Sequence, residues 1–288
     1  MGAPQITVVT PSYNHAAFLR RCIDSVLEQA YPNLQYFVHD GGSTDGTVEI
    51  LKSYGDAICW RSERDRGQAA AVNEGFRQSD GDLVAWLNSD DYYLPGAFDH
   101  AVNAFEEHPG AAMIYGRARL VDEAGRTIRP YPTFAFHRRD LARKCYVCQP
   151  TVFVRRSVLD EVGLLNEDFD ICIDYEWWLR IGRDHALAFC DHELAASRLY
   201  PATKTKRRRL RALVEAGYLM RAHFGRATWR WSAKWVVHHW SLDRRRFLAP
   251  GPGWWSAAAS ARRYRRRFDA RRAPSRYGGR ILERMGAS

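Results

Sequence analysis

The sequence lacks most of the features that would assign it at a glance. Across 288 residues no run reaches the roughly 18 consecutive apolar positions that mark a membrane-spanning helix. No basic-then-apolar leader precedes the first strand-like segment, so the expected location is the cytosol. Neither G-x-x-x-x-G-K-[ST] nor G-x-G-x-x-G occurs, which removes the P-loop and the dinucleotide fingerprint. There is no internal repeat. Cysteine is sparse and scattered: Cys145 and Cys148 form the only C-x-x-C, and without a second ligand pair a zinc or redox centre is disfavoured. Cys22, Cys59, Cys172 and Cys190 stand in apolar surroundings and read as reduced core residues.

What is present is alternation. Gln5–Thr10, Leu34–His39, Ile58–Arg61 and Leu83–Leu87 read as strands, separated by segments of helical periodicity around Phe18–Leu27, Val48–Tyr54 and Arg66–Gln78. That rhythm predicts βαβ units and an α/β fold with a mostly parallel sheet flanked by helices. Right-handed crossovers put the loops after the strands on one rim. The loop Pro11–Asn14, the loop Asp40–Thr47, the turn Asp65–Gln68 and the pair Asp90-Asp91 are therefore expected to converge. Further on, residues 117–131 read as a hairpin, 149–154 as a strand, 174–184 as a helix and 186–200 as extended chain.

Two loops on that rim carry chemistry. Gly41, Gly42 and Gly46 let the backbone approach a ligand, while the Asp40 carboxylate can accept from a base N–H or a ribose hydroxyl and Asp45 can cap the following helix. Asp90 and Asp91 follow the apolar run Leu83–Leu87 directly, and acids at such an exit suit a hard divalent ion carrying substrate phosphates. The same residues also make a plain turn.

Taken in order, Val8-Val9-Thr10-Pro11-Ser12-Tyr13-Asn14, Asp40 to Thr47, Ser62 to Gln68, Asn73-Glu74-Gly75, Gly81-Asp82, Asn88-Ser89-Asp90-Asp91, Gln149-Pro150-Thr151 and Asp174 to Arg180 resemble the family 2 glycosyltransferases of the GT-A, Rossmann-like fold. The resemblance spans residues 5–200. It implies a nucleotide-diphosphate-sugar donor held by Pro11, Tyr13, Asp40, Asp65, Gln68 and Asp90, and a Mn²⁺ or Mg²⁺ ion on Asp91. It implies Asp174 as the base that takes the proton from an acceptor hydroxyl, with Glu176 as its alternative and inversion at the anomeric carbon as the outcome. Asp174 as a simple helix cap is the competing reading. Trp177 and Trp178 read as core. One departure stands out. The family often carries a basic or histidine residue near the diphosphate, whereas Ser197 to Thr205 contains no histidine, leaving Arg198 or Lys204 to serve.

The charge divides the chain into a domain of residues 1–203 and a basic helical extension of residues 204–288. The extension holds 23 basic and 4 acidic residues, a net +19, against 20 basic and 29 acidic residues before it, a net −9. Lys206–Phe224 reads as an amphipathic helix, and six of the ten tryptophans lie beyond residue 228 among arginines. Trp with Arg suits an anionic membrane surface. Covering of the catalytic body and a homo-oligomer contact are the alternatives, and no nucleic-acid reader motif is present. The combined expectation is a metal-dependent inverting transferase acting on a glycan or lipid-linked acceptor, peripheral at the inner membrane face, in polysaccharide biosynthesis. A nucleotidyltransferase and a non-catalytic sugar-nucleotide-binding or scaffold protein are its rivals.

Overall fold

The computed structural model describes residues 2–141 and 144–224. The chain divides into two compact units, Met1–Leu141 with Cys145–Tyr200, and Ala142–Lys144 with Pro201–Ser288.

The first unit begins with the predicted alternation: β1 (Ile6–Ser12), α1 (Ala16–Leu27), β2 (Leu34–Asp40), α2 (Thr47–Lys52), β3 (Cys59–Ser62), α3 (Gln68–Arg77) and β4 (Leu83–Trp86). Every residue of β1 is buried, because β2 and β4 flank it in parallel register and helices cover the faces. α1 turns Leu19, Cys22, Ile23 and Val26, spaced three and four apart, onto the sheet. α3 approaches β1 so closely that a Cβ on Gly75 would lie 2.5 Å from Val9 Cγ2, so only glycine fits there.

Beyond β4 come β5 (Tyr92–Tyr93), α4 (Ala97–Glu107), β6 (Ala111–Val121), β7 (Thr127–Pro130), α5 (Arg138–Leu141), β8 (Phe153–Arg155), α6 (Ser157–Val162), α7 (Ile173–Asp184) and β9 (Ala186–Arg198). The nine described strands form one sheet in the order β3-β2-β1-β4-β8-β6-β9-β5, with β7 on β6 as the expected hairpin. The sheet is parallel through β3-β2-β1-β4. β8 then runs antiparallel to both β4 and β6, and β9 runs parallel to β6. The predicted strand 149–154 is shortened because Pro150 cannot donate to a ladder, and Gln149–Thr151 forms a single 3-10 turn. The two-residue β5 pairs Tyr92 and Tyr93 with Ala196 and Ala195, which lays the end of β9 beside the acidic loop.

None of the six cysteines forms a disulfide. Cys22, Cys148 and Cys190 are buried, but Cys59, read as a core residue, is exposed because β3 is the outermost strand of the sheet.

In the second unit, α8 (Lys204–Arg207) and α9 (Arg209–Phe224) are described. α9 departs from the expected one-faced amphipath: Leu213, Val214, Glu215, Ala216, Leu219 and Met220 are all buried, so burial runs around the helix. Arg211 Nε donates to the buried Glu215 at 3.0 Å. Among the described residues no helix is long and apolar enough to cross a membrane. The tryptophan- and arginine-rich segment from Trp229 onward lies outside the described residues.

Candidate active site

The four loops predicted to meet are laced together by hydrogen bonds. Asn14, held at φ 53° in the left-handed region, donates its backbone N–H to Ser43 Oγ (2.7 Å), and its Oδ1 accepts from Thr44 N (2.9 Å). Gly41 N donates to Ser12 O, and Glu63 N to Asp40 O. Gln68 Nε2 donates to Asn88 Oδ1 at 2.6 Å, and His15 Nδ1 lies 2.8 Å from Ser89 Oγ. Asp45 is not the expected cap of α2, whose N-cap is Gly46, but it grips the helices on both sides of the loop. Its Oδ1 accepts from Thr47 N and Oγ1, while its Oδ2 accepts from Ala16 N, the first residue of α1. Burial opposes its ionisation, but these bonds outweigh burial and hold its carboxyl below the ordinary value.

Of the predicted donor-site residues, Pro11 is buried at the end of β1 opposite His39, and Tyr13 is exposed just beyond. Asp40 is 2% exposed and already engaged: its oxygens accept from Gly42 N, Ser43 N, Ser43 Oγ and Ser62 Oγ. Asp65 is exposed and accepts from Gly67 N at 2.7 Å, and its Oδ2 lies 3.1 Å from where a Cβ on Gly41 would stand. A cavity of about 180 Å³ opens between β3 and α3, and Asp40, Asp65, Arg61 and Arg64 are among its walls.

The acid pair is bound from several directions. Asp91 is 5% exposed; its Oδ1 accepts from Arg198 N at 2.8 Å and its Oδ2 from Asn88 Nδ2 at 3.4 Å. Asp90 Oδ2 accepts from the Tyr200 hydroxyl at 3.0 Å. Burial first, and the adjacent Asp90 second, push the Asp91 carboxyl up to about 8. Among the described residues no Lys or Arg side chain forms an ion pair with either acid. Two carboxylates placed together without such a counter-charge fit a divalent cation, which would relieve both the burial and the repulsion. No cluster of three or more His, Cys, Asp or Glu among the described residues could hold a metal alone, so a cation here would draw remaining ligands from phosphate and water.

Asn88 is the hub that sequence reasoning left without a role. Its Oδ1 accepts from Gln68 and from Trp86 Nε1, and its Nδ2 donates to Gln149 Oε1 and to Asp91. Gln149 Nε2 in turn donates to Trp86 O at 2.7 Å. Amides are the residues that can both accept and donate in this way, and they carry no periodicity by which a strand or helix pattern would mark them.

Asp174 stands in the first turn of α7, half-buried, with Oδ1 accepting from Tyr175 N at 2.7 Å. α7 is fastened to the acidic strand by stacked indoles: Trp86 lies 6.1 Å from Trp177 and 6.0 Å from Trp178, centroid to centroid, and both α7 tryptophans are buried. The buried Cys148 thiol is raised by burial, and Asp91 and Asp174 both act on it in the same direction. Glu176 is a different case. It is 1% exposed with both oxygens on Arg180, so it is a structural ion pair. Arg198 is also committed: its guanidinium covers Phe18 and Tyr92 and donates to the carbonyls of Asp122 and Glu123. His39 is a packed strand residue, with Nδ1 2.9 Å from Ala71 O.

Comparison with known proteins accords with this geometry. The model of the family described as glycosyl transferase family 2 matches residues 7–163, more than half of the chain. An uncharacterized glycosyltransferase of Rickettsia typhi is 28% identical over 212 residues, covering 70% of this chain and 66% of its own, so the chain spans just under two thirds of that relative's length. Among solved structures, Staphylococcus aureus TarS 1–349 in complex with UDP-GlcNAc superposes with a TM-score of 0.63 at 16% identity, covering 91% of this chain and 81% of TarS. The mannosyltransferase PcManGT of Pyrobaculum calidifontis, in complex with GDP-Man and Mn²⁺, gives 0.56 at 19% identity, covering 74% of this chain and 62% of its own. Sheet order, loop convergence and family match agree: the chain has the GT-A fold and belongs to glycosyl transferase family 2.

Proposed function

We propose that the chain transfers a sugar from a nucleotide-diphosphate-sugar to a hydroxyl of a glycan or lipid-linked acceptor, with a divalent cation and with inversion. The observation that carries the reading is the acid pair Asp90-Asp91 at the end of β4, with Asp91 buried, on a strand that the Trp86 stack fastens to the helix of Asp174. The nucleotide-sugar complexes of TarS and PcManGT support the donor class, and the Mn²⁺ in the latter supports the cation.

In this reading Tyr13, Asp65 and Gln68 border the donor, with Pro11 and Asp40 shaping the loop beneath it and Asp90 contacting ribose or sugar. Asp91 would hold Mn²⁺ or Mg²⁺, which when bound neutralises the charge on the departing diphosphate. Asp174 accepts the acceptor's proton as its oxygen attacks the anomeric carbon from the face opposite the leaving group, so an α-linked donor gives a β-linkage. Residues 1–203 carry this chemistry. Residues 204–288 form the basic, Trp-rich region that docks the protein on an anionic membrane surface, placing it at the cytosolic face.

The test is donor turnover by the purified full chain with Mn²⁺ across a panel of sugar nucleotides. Turnover that disappears in Asp91→Ala supports the proposal. A chain that binds a sugar nucleotide but never turns it over, with any acceptor or with water, is a binding protein and the proposal fails.

A further inference from the structure

The end of β9 crosses the acid pair and touches each member in a different way. Asp91 is held by main chain, through Arg198 N. Asp90 is held by a side chain, through the Tyr200 hydroxyl on Oδ2 at 3.0 Å. Tyr200 is 6% exposed, and its ring lies 5.1 Å from that of Phe18, whose other neighbours are His15 and the Arg198 guanidinium. A phenol packed this way cannot swing to another partner without leaving its pocket. Among the described residues Asp90 Oδ1 accepts no hydrogen bond, so the contact ties down one carboxylate oxygen and leaves the other open.

This is also the stretch in which the sequence shows no histidine. Of the basic candidates there, the Arg198 side chain is spent on the Asp122 and Glu123 carbonyls. What reaches Asp90 is a neutral donor. A carboxylate beside a second carboxylate rotates away from it unless something fixes its plane, and a charge-assisted bond from a buried hydroxyl does that.

We propose that Tyr200 is the positioning residue for Asp90, setting the open Oδ1 to accept a hydroxyl of the nucleotide donor; the proposal rests on the donor reading above. Because Asp91 has its own main-chain anchor, the cation and donor contacts are separable, and Tyr200 governs the second only.

The experiment uses the full chain, its Tyr200→Phe and Asp90→Asn variants and the double variant. Binding of UDP and of GDP is measured by calorimetry with Mn²⁺ present, and binding of Mn²⁺ alone by electron paramagnetic resonance. Tyr200→Phe is expected to weaken the bound nucleotide about tenfold, the loss ordinary for one hydrogen bond to a charged group. It is expected to leave Mn²⁺ binding within about twofold, and to add less than about twofold once Asp90 is Asn, as coupled partners do. Equal nucleotide affinity in Tyr200→Phe and parent overturns the proposal, as does a full additional loss in the Asp90→Asn background. If Tyr200→Phe does not fold, Tyr200→His with the same cycle decides it: a donor at that position restores coupling to Asp90, and a further uncoupled loss overturns the assignment. A parent chain that binds neither nucleotide overturns the donor reading itself, which is a distinguishable result.

Discussion

Asp174 and Glu176 sit two residues apart in the first turn of α7, and their surroundings give them opposite capacities. Glu176 is walled in, and burial raises its carboxyl while Arg180 lowers it; neither oxygen is open to a substrate. Replacing Arg180 by Leu strands that acid, so a loss of about 3 kcal/mol is expected in urea unfolding. Asp174→Asn removes a proton acceptor without changing shape. Turnover is expected to fall on the order of 10²–10⁴-fold while sugar-nucleotide binding, followed by calorimetry, is retained. His39 gives a pH signature. Burial lowers its folded pKa below the ordinary 6.5, so below 6.5 the unfolded chain binds more protons than the native one. The stability it contributes is complete above 6.5 and is lost as pH falls through the folded pKa. Urea midpoints should drop across that window in the parent, and less steeply in His39→Gln.

At the scale of elements, α3 packs tightly on β1. Gly75→Ala drives a methyl to within 2.5 Å of Val9 Cγ2, and overpacking of this kind costs about 1–3 kcal/mol. Val9→Ala in the same chain should recover much of the loss, a coupling that chemical denaturation of the single and double variants will reveal. The elements also divide what the sequence made legible from what it hid. The rhythm of strands and helices through residue 87 carried the parallel half, and with it the common rim on which Asp40, Asp65 and Asp90 stand, because local periodicity and crossover handedness are enough to place loops. It did not carry β5, a two-residue strand whose existence depends on Ala195 and Ala196 a hundred residues away, nor the antiparallel seating of β8. Asp45 was legible as belonging to the start of α2, but Gly46 takes the cap, and the grip of Asp45 on α1 joins two segments that only tertiary folding brings together. Asn88 and Tyr200 stayed silent for the same reason: their partners lie up to 110 residues distant, and neither residue breaks a pattern.

At the scale of the molecule, the sharp division of charge, net −9 before residue 204 and net +19 from there on, separates an acidic body from a basic extension. If the extension meets an anionic bilayer, the full chain should sediment with phosphatidylserine vesicles at low ionic strength and come off as salt rises to about 0.5 M, where screening shortens to a few ångströms. Retention at high salt would contradict an electrostatic attachment. The three indoles of Trp86, Trp177 and Trp178, with centroid separations of 5.5 to 6.1 Å, are close enough for their electronic transitions to mix. Far-ultraviolet circular dichroism, where the intense indole band lies, should therefore carry an exciton couplet from this trio. Its amplitude would serve as an optical ruler for how far the helix of Asp174 stands from the strand of the acids.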